Sequence, residues 1–221
     1  KDAPPEGSSR PDFEHSLPID DVMDRAILAI EMNGEPLPGG HGGPVRLMLP
    51  GYYGTMQVKW LSRLRFEAIE SNNVNQIPRY RIPNDPIEPG TPIDYTHENS
   101  TPNWRQRVKS VIFGPHTGTE VAAGEVEVHG VAWNDGTVGL TSVEISTDDG
   151  GTWRKAAMSA PHGGYGWYEF RTVVNLGAGE HRIWSRAWDE LGNSQPINGA
   201  IRWNPSGYEW HGADYVEVTA S

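Results

Sequence analysis

No cysteine occurs in the 221 residues, which excludes disulfides and thiolate metal ligands within the chain and leaves either redox compartment open. No run of about 18 apolar residues occurs either, so no membrane-spanning helix is expected. Positive charge is scarce: 18 Lys and Arg stand against 29 Asp and Glu, a net −11 with a pI near 5.1. A nucleic-acid surface needs a basic stripe to neutralise phosphates, and none is present. An anionic ligand would have to be drawn by a local cationic pocket working against the global field. The chain opens at Lys1 without a signal-peptide pattern and reads as soluble.

The hydrophobic fraction of 36% suffices for two compact domains of about 100 residues each. Residues 1–18 are rich in Pro, Gly, Ser and acid and read as an irregular surface segment. The apolar run Ala26 to Ile30 predicts a buried strand that ends in a turn at Asn33-Gly34. Val45 to Leu49 is a second apolar run, closed by Pro50-Gly51. Gln57 to Phe66 forms a third predicted element, with Lys59, Arg63 and Arg65 interleaved. From Glu67 to Arg105 the chain is mostly loop, with prolines at 78, 83, 86, 89, 92 and 102.

After Arg107 the pattern changes to short alternating segments between turn clusters: VKSVIF, EVEVHGVAW, SVEISTDDGGTWRKA, WYEFRTVV, HRIWSRAWDELGN and YVEVTA. Six such segments over about 115 residues predict an antiparallel β-sandwich of immunoglobulin type. With no inter-sheet disulfide, Trp133, Trp153 and Trp184 are expected to help fill its core, which also argues against a carbohydrate-binding face built from the nine tryptophans. Asp148-Asp149-Gly150-Gly151 lacks the alternating ligands and terminal glutamate of a calcium loop and reads as a hairpin turn.

The residues with most chemical promise lie between 41 and 60. His41, Arg46 and Lys59 sit on short stretches joined by Gly42, Gly43, Gly51 and Gly54. Glycines let backbone approach a bulky ligand, Arg offers a planar fork for phosphate, and Lys a point charge. The combination suits a phosphorylated cofactor, although on composition alone solvated surface charges and ordinary turns are the better account.

The segments HGGPVR and LPGYYGTMQVKWL together resemble the sulfite oxidase family of molybdenum enzymes, whose cofactor domain carries HG-x-P-x-R … PG-x-x-G … VKW. The resemblance continues upstream in AIEMNGEPLP and downstream in RYRIPND, which is similar to bacterial sulfite dehydrogenases. In the second half, ISTDDGGTW and WNPSGY resemble the family's immunoglobulin-like domain. The resemblance implies a mixed fold: a partial α+β molybdopterin-binding domain over 1–105 and an immunoglobulin-like dimerisation domain over 106–221. It implies that His41, Arg46, Gln57, Val58 and Lys59 contact the pterin, and that Asp2, matched through a one-residue gap, does so too. Tyr80 falls at the family's active-site tyrosine, where a phenol can hydrogen-bond an oxygen at the metal or the substrate oxyanion. Arg79 and Arg81 flank it and are expected to raise the local positive potential.

The activity so implied is oxygen-atom transfer to or from a small oxyanion such as sulfite. Electrons would pass to a cytochrome c-type acceptor, with haem on a partner chain or domain. A homodimer through the second domain and a periplasmic location complete the family picture. Two departures stand beside it. The family binds molybdenum through a cysteine in the front half of the cofactor domain, so that ligand is expected from a missing N-terminal half or a companion subunit. The alternative is a non-catalytic structural subunit of a larger redox complex that retains the fold. The family's arginine within or just after the terminal motif is also absent, since Ser206 and then Trp210-His211 stand there, which leaves the substrate open.

Overall fold

The computed structural model describes residues 12–161, 163–197 and 202–221. Asp2 lies outside the described residues. The chain divides into two units, one formed by Lys1–Gln106 with Arg202–Glu209 and the other by Arg107–Ile201 with Trp210–Ser221. No helix of the described residues is long and apolar enough to cross a membrane.

In the first unit, α1 (Ile19–Arg25) precedes six short strands: β1 (Ile27–Ala29), β2 (Glu31–Met32), β3 (Glu35–Pro36), β4 (Arg46–Met48), β5 (Arg81–Pro83) and β6 (Ser100–Pro102). They form three two-stranded antiparallel ladders, β1 with β4, β2 with β3 and β5 with β6. Asn33 and Gly34, at φ 55° and 80°, make the two-residue turn between β2 and β3, where both central residues of a type I′ turn need positive φ. The strand expected at Ala26–Ile30 exists, but it is not buried: Ile27 is 53% and Leu28 52% exposed. No core cluster among the described residues includes Ile27 or Leu28, so these apolar side chains stay in the open.

The element expected over Gln57–Phe66 is absent. Residues 57–61 return beside 42–47 through Leu47 N to Val58 O (2.8 Å), Leu61 N to Val45 O (2.8 Å) and Trp60 N to Gly42 O (3.1 Å). Trp60 adopts a left-handed φ of 47°, which breaks a regular ladder at that point. A small core of Leu49, Tyr52 and Met56, with Leu17, Ala26 and Trp104 against it, lies under this return.

The second unit is an antiparallel β-sandwich. Its strands are β7 (Lys109–Gly114), β8 (Thr119–Val121), β9 (Gly124–Trp133), β10 (Leu140–Ser146), β11 (Arg154–Lys155), β12 (Ala157–Met158), β13 (Tyr168–Leu176), β14 (Gly179–Asp189) and β15 (Asp214–Ala220). One sheet runs β11-β10-β14-β15-β8 and the other β12-β13-β9-β7. Only β8 departs from antiparallel pairing, joining β15 in parallel. Period-two alternation points Val126, Val128, Phe170, Val174, Ile183, Ala187, Val216 and Val218 into one core.

The tryptophans are a correction in part. Trp184 is buried, at 8% exposure, but alternation that sends Ile183 and Ala187 into the inter-sheet core puts it on the other face, against Tyr215 at 4.5 Å, and Arg186 lies 4.0 Å from the Trp153 ring and 5.1 Å from that of Trp188. Trp133 stacks on Trp167 at 5.4 Å outside the same core. The space between the sheets is filled by aliphatic side chains and Phe170, and a polar node crosses it. Ser110 on β7 meets Ser185 on β14 at 2.9 Å, and Gln195 accepts from Ser110 and from the Ala187 N–H. Asp148 turns the chain after β10: it accepts from Ser146 (2.7 Å) and from both the N–H and hydroxyl of Thr152, which hold its carboxyl down to about 2.

Packing is tight where β9 passes β7 and Phe170. A Cβ added at Gly130 would stand 2.1 Å from Val111 O and 2.7 Å from Phe170 Cζ, whereas one at Gly177 meets nothing within 4 Å. Gly130→Ala is expected to destabilise the protein by ~1–3 kcal/mol, read from the urea midpoint. Gly177→Ala should stay within about 1 kcal/mol of wild type. Equal effects would contradict this packing.

Candidate functional site

The stretch from His41 to Trp60 folds back so that its two ends meet over one turn. Gly39–His41 form a short 3-10 turn whose carbonyls point at the returning chain. Arg46 donates to His41 O (2.9 Å) and Gln57 O (3.2 Å), Lys59 Nζ to Gly40 O (2.9 Å), and Trp60 Nε1 to Gly39 O (2.8 Å). Neither Arg46 nor Lys59 has a carboxylate within ion-pair distance among the described residues. Arg46 Nε is buried and unpartnered. The result is a cluster of side-chain donors with two positive charges that no carboxylate among the described residues cancels, which fits the oxygens of an anionic group such as a phosphate.

The glycines here serve the chain before any ligand. A Cβ on Gly43 would fall 2.0 Å from Leu37 O, and one on Gly42 2.9 Å from Lys59 Cβ. Gly42 also sits at φ 104°, a region strained for any side chain. They let the turn press against Leu37 and Lys59, so the expectation of ligand approach at these two positions is replaced by close chain-to-chain packing.

Of the other residues expected to line the cofactor, His41 is exposed and its ring makes no hydrogen bond among the described residues. Gln57 is engaged internally: its amide accepts from Leu49 N (2.6 Å) and donates to Leu49 O (2.7 Å) and Tyr52 O (3.3 Å). Val58 is 4% exposed and contributes its carbonyl to Leu47. The Gln57 main chain is engaged as well, its N–H by Gly54 O and its carbonyl by Arg46, so positions 57 and 58 hold the fold rather than present side chains outward. Arg46, Lys59 and His41 share the cluster; Asp2 is outside the described residues.

Tyr80 stands in a second, aromatic cluster. Its φ of 53° is rare for an aromatic residue, and its carbonyl accepts from Asn103 N at 2.9 Å. Its ring lies 5.5 Å from Tyr208, 5.6 Å from His15 and 6.4 Å from Phe13. Asn204 delivers Tyr208, accepting from the N–H groups of Ser206 and Tyr208 and donating to Tyr208 O.

Arg81 is a correction. It is 1% exposed, donates to Ser100 Oγ (2.7 Å), Ser100 O (2.6 Å) and Gln76 O (3.2 Å), and pairs with Glu70. Burial pushes the Glu70 carboxyl up, but bonds from Arg81, Gln76 and His97 outweigh it and hold it below its usual range. The Arg81 charge is thus neutralised inside the fold and anchors β5 to β6. Arg79 is exposed and makes no ion pair among the described residues, so it is the flanking cation left to act outward.

The segment 103–106 connects the two clusters. Asn103 holds Tyr80, Trp104 O accepts from Tyr53 N (2.9 Å), and Gln106 N donates to Gly51 O (2.8 Å). Below it, Asp21 accepts from Tyr52 and Arg105. Burial and the Asp21 carboxylate push the Tyr52 phenol up to about 12.

Three comparisons with known proteins bear on this site. The model of the oxidoreductase molybdopterin binding domain matches residues 2–75, and that of the Mo-co oxidoreductase dimerisation domain residues 101–214. Mitochondrial sulfite oxidase of Rattus norvegicus is 33% identical over 223 residues, covering 95% of this chain and 40% of that protein. Sulfite oxidase of Gallus gallus is 34% identical, covering 94% and 45%. The chain thus spans less than half the length of these relatives. The crystal structure of the sulfane dehydrogenase SoxCD from Paracoccus pantotrophus superposes with a TM-score of 0.78 at 26% identity, covering 95% of this chain and 54% of that one. Tyr208, His15 and Phe13 were not singled out from sequence; the one available signal was WNPSGY, which carries Tyr208.

The Asp21 node makes a pH prediction. Burial raises its carboxyl, but the bonds from Tyr52 and Arg105 and the charges of Arg105 and Arg25 outweigh burial, and the group sits below its usual range. A depressed carboxyl contributes stability above its unfolded pKa and loses it as pH falls through the folded value. Tyr52→Phe removes one of the bonds, so acid unfolding should move to higher pH. An unchanged acid midpoint would contradict the assigned bond.

Proposed function

Because the chain belongs to the sulfite oxidase family of molybdopterin oxidoreductases, we propose that its first unit holds the anionic end of molybdopterin in an enzyme that oxidises a small sulfur species. The observation that carries this reading is the cluster of side-chain donors at 39–60. Arg46 and Lys59 would hold the phosphate, with the unpartnered Arg46 Nε as a further donor and His41 at the rim. Molybdopterin, when bound, supplies the redox chemistry. The chain supplies charge, orientation and a phenol: Tyr80, whose hydroxyl is unbonded among the described residues, hydrogen-bonds a substrate oxygen.

The named substrates of the relatives are sulfite for the two oxidases and sulfane for the Paracoccus enzyme. We take the substrate of this chain from the same class, with Arg79 as the cation that favours an anion near Tyr80. Electrons pass one at a time to a cytochrome c-type acceptor whose haem lies on a partner chain or domain. A thiolate for the metal has to come from residues beyond these 221, since none of them is cysteine. The second unit pairs two copies, in keeping with the dimerisation-domain match, and the periplasm is the compartment suggested by the YRIPND and WNPSGY resemblance.

Two substitutions in the complete, cofactor-loaded protein separate the roles. Arg46→Ala should lower molybdenum and pterin content itself. Tyr80→Phe should leave that content intact and lower sulfite-dependent cytochrome c reduction by about 10²-fold or more, the scale at which a hydrogen-bonding catalytic group acts. Small and equal effects from both would defeat the assignment.

A further inference from the structure

His15 is a largely enclosed imidazole whose surroundings determine its protonation and tautomer. Its Nδ1 lies 3.0 Å from Gln76 Oε1. That oxygen also accepts the Ser16 N–H at 3.0 Å, and Gln76 Nε2 donates to Glu70, so the amide can stand only one way round. Facing an acceptor, Nδ1 must carry the hydrogen. Burial lowers the ring's pKa to about 4, against the Gln76 bond and the Glu14 charge, which both raise it. At neutral pH the ring is therefore uncharged, and Nε2 presents a bare lone pair.

That nitrogen is buried and has no hydrogen-bond partner. An enclosed acceptor without a donor is uncommon in folded proteins, and it marks a place where a donor is meant to arrive. Two rings touch His15: Phe13 at 4.8 Å and Tyr80 at 5.6 Å. Phe13 has no donor to give. Tyr80 has a hydroxyl that makes no hydrogen bond among the described residues. An unpaired acceptor and an unpaired donor thus sit on adjoining rings.

We propose that His15 is a positioning residue for Tyr80, accepting the phenolic hydrogen at Nε2 and so aiming the remaining oxygen lone pairs at the ligand. The interaction is a hydrogen bond rather than a proton transfer. Burial lowers the ring to about 4, which leaves its nitrogen a weak base that accepts a hydrogen bond without taking the proton. Glu14 is the charged neighbour on the same segment, and Glu70 stands behind Gln76, so the ring is surrounded by groups that keep its Nδ1–H in place. The proposal rests on Tyr80 being the phenol of the functional site.

The test is nitrogen-15 NMR of histidine-labelled, cofactor-loaded full-length protein. His15 should be neutral at pH 7 with Nδ1 protonated, and Tyr80→Phe should move the Nε2 resonance toward that of an unbonded imidazole nitrogen while leaving Nδ1 in place. An Nε2–H tautomer, or an Nε2 signal indifferent to Tyr80→Phe, would overturn the proposal. In turnover, His15→Phe should lower kcat about tenfold at unchanged KM, roughly what one neutral hydrogen bond provides. That effect should vanish when Tyr80→Phe is already present. Equal losses with and without Tyr80→Phe would show a merely structural role and overturn it too. A protein inactive toward sulfite would count against the proposed function, while the NMR arm still decides on His15.

Discussion

Two cations tied to backbone carbonyls instead of carboxylates set the character of the first unit. In a chain of net charge −11, acids are plentiful, and most of the well-placed arginines have found one: Arg81 pairs with Glu70, Arg105 with Asp21, Arg182 with Asp149 and Arg186 with Glu144. Arg46 and Lys59 break that rule. A carbonyl fixes the direction of a guanidinium or ammonium without cancelling its charge, so the turn at 39–41 is held together and remains positive. A carboxylate in the same place would have held the turn equally well and cancelled that charge.

This arrangement depends on the chain returning from Tyr52 to Trp60 at the right height. Gln57 provides that by bonding both the N–H and the carbonyl of Leu49, and the Leu47 and Leu61 bonds complete the return without a regular strand. Residues 103–106 then tie the same turn to Tyr80 through Asn103. The buried Arg81–Glu70 pair keeps the left-handed Tyr80 from relaxing by anchoring the residue that follows it. Charge, turn and phenol are thus positioned by internal side chains that never need to touch a ligand.

Much of this was legible in the sequence, and the reasons it was legible are physical. The sandwich strands announce themselves because period-two alternation survives burial of one face, and Asn33-Gly34 because few residue pairs tolerate two positive φ values. The 41–60 segment was visible as a motif, but not the division of labour inside it. Gln57 and Val58 sit at family positions, yet one is engaged in pinning a turn and the other is buried, and side-chain direction cannot be read from a linear pattern in an irregular segment. His15 and Tyr208 escaped notice because their partners lie far along the chain: His15 bonds Gln76, 61 residues away. The tryptophans were legible only in part, because a large ring can be buried without joining the inter-sheet core: Trp184 packs on Tyr215 and Trp153 on Arg186, both outside the aliphatic cluster.

The claim on which the rest turns is that the uncompensated charge of Arg46 and Lys59 exists to hold an anionic pterin. The measurement that addresses it most directly is a crystal structure of the complete, cofactor-loaded protein. The account predicts phosphate oxygens of the pterin within hydrogen-bond distance of the Arg46 guanidinium and the Lys59 ammonium. A pterin bound elsewhere, with both cations still bonded only to the carbonyls of the 39–41 turn, would contradict it.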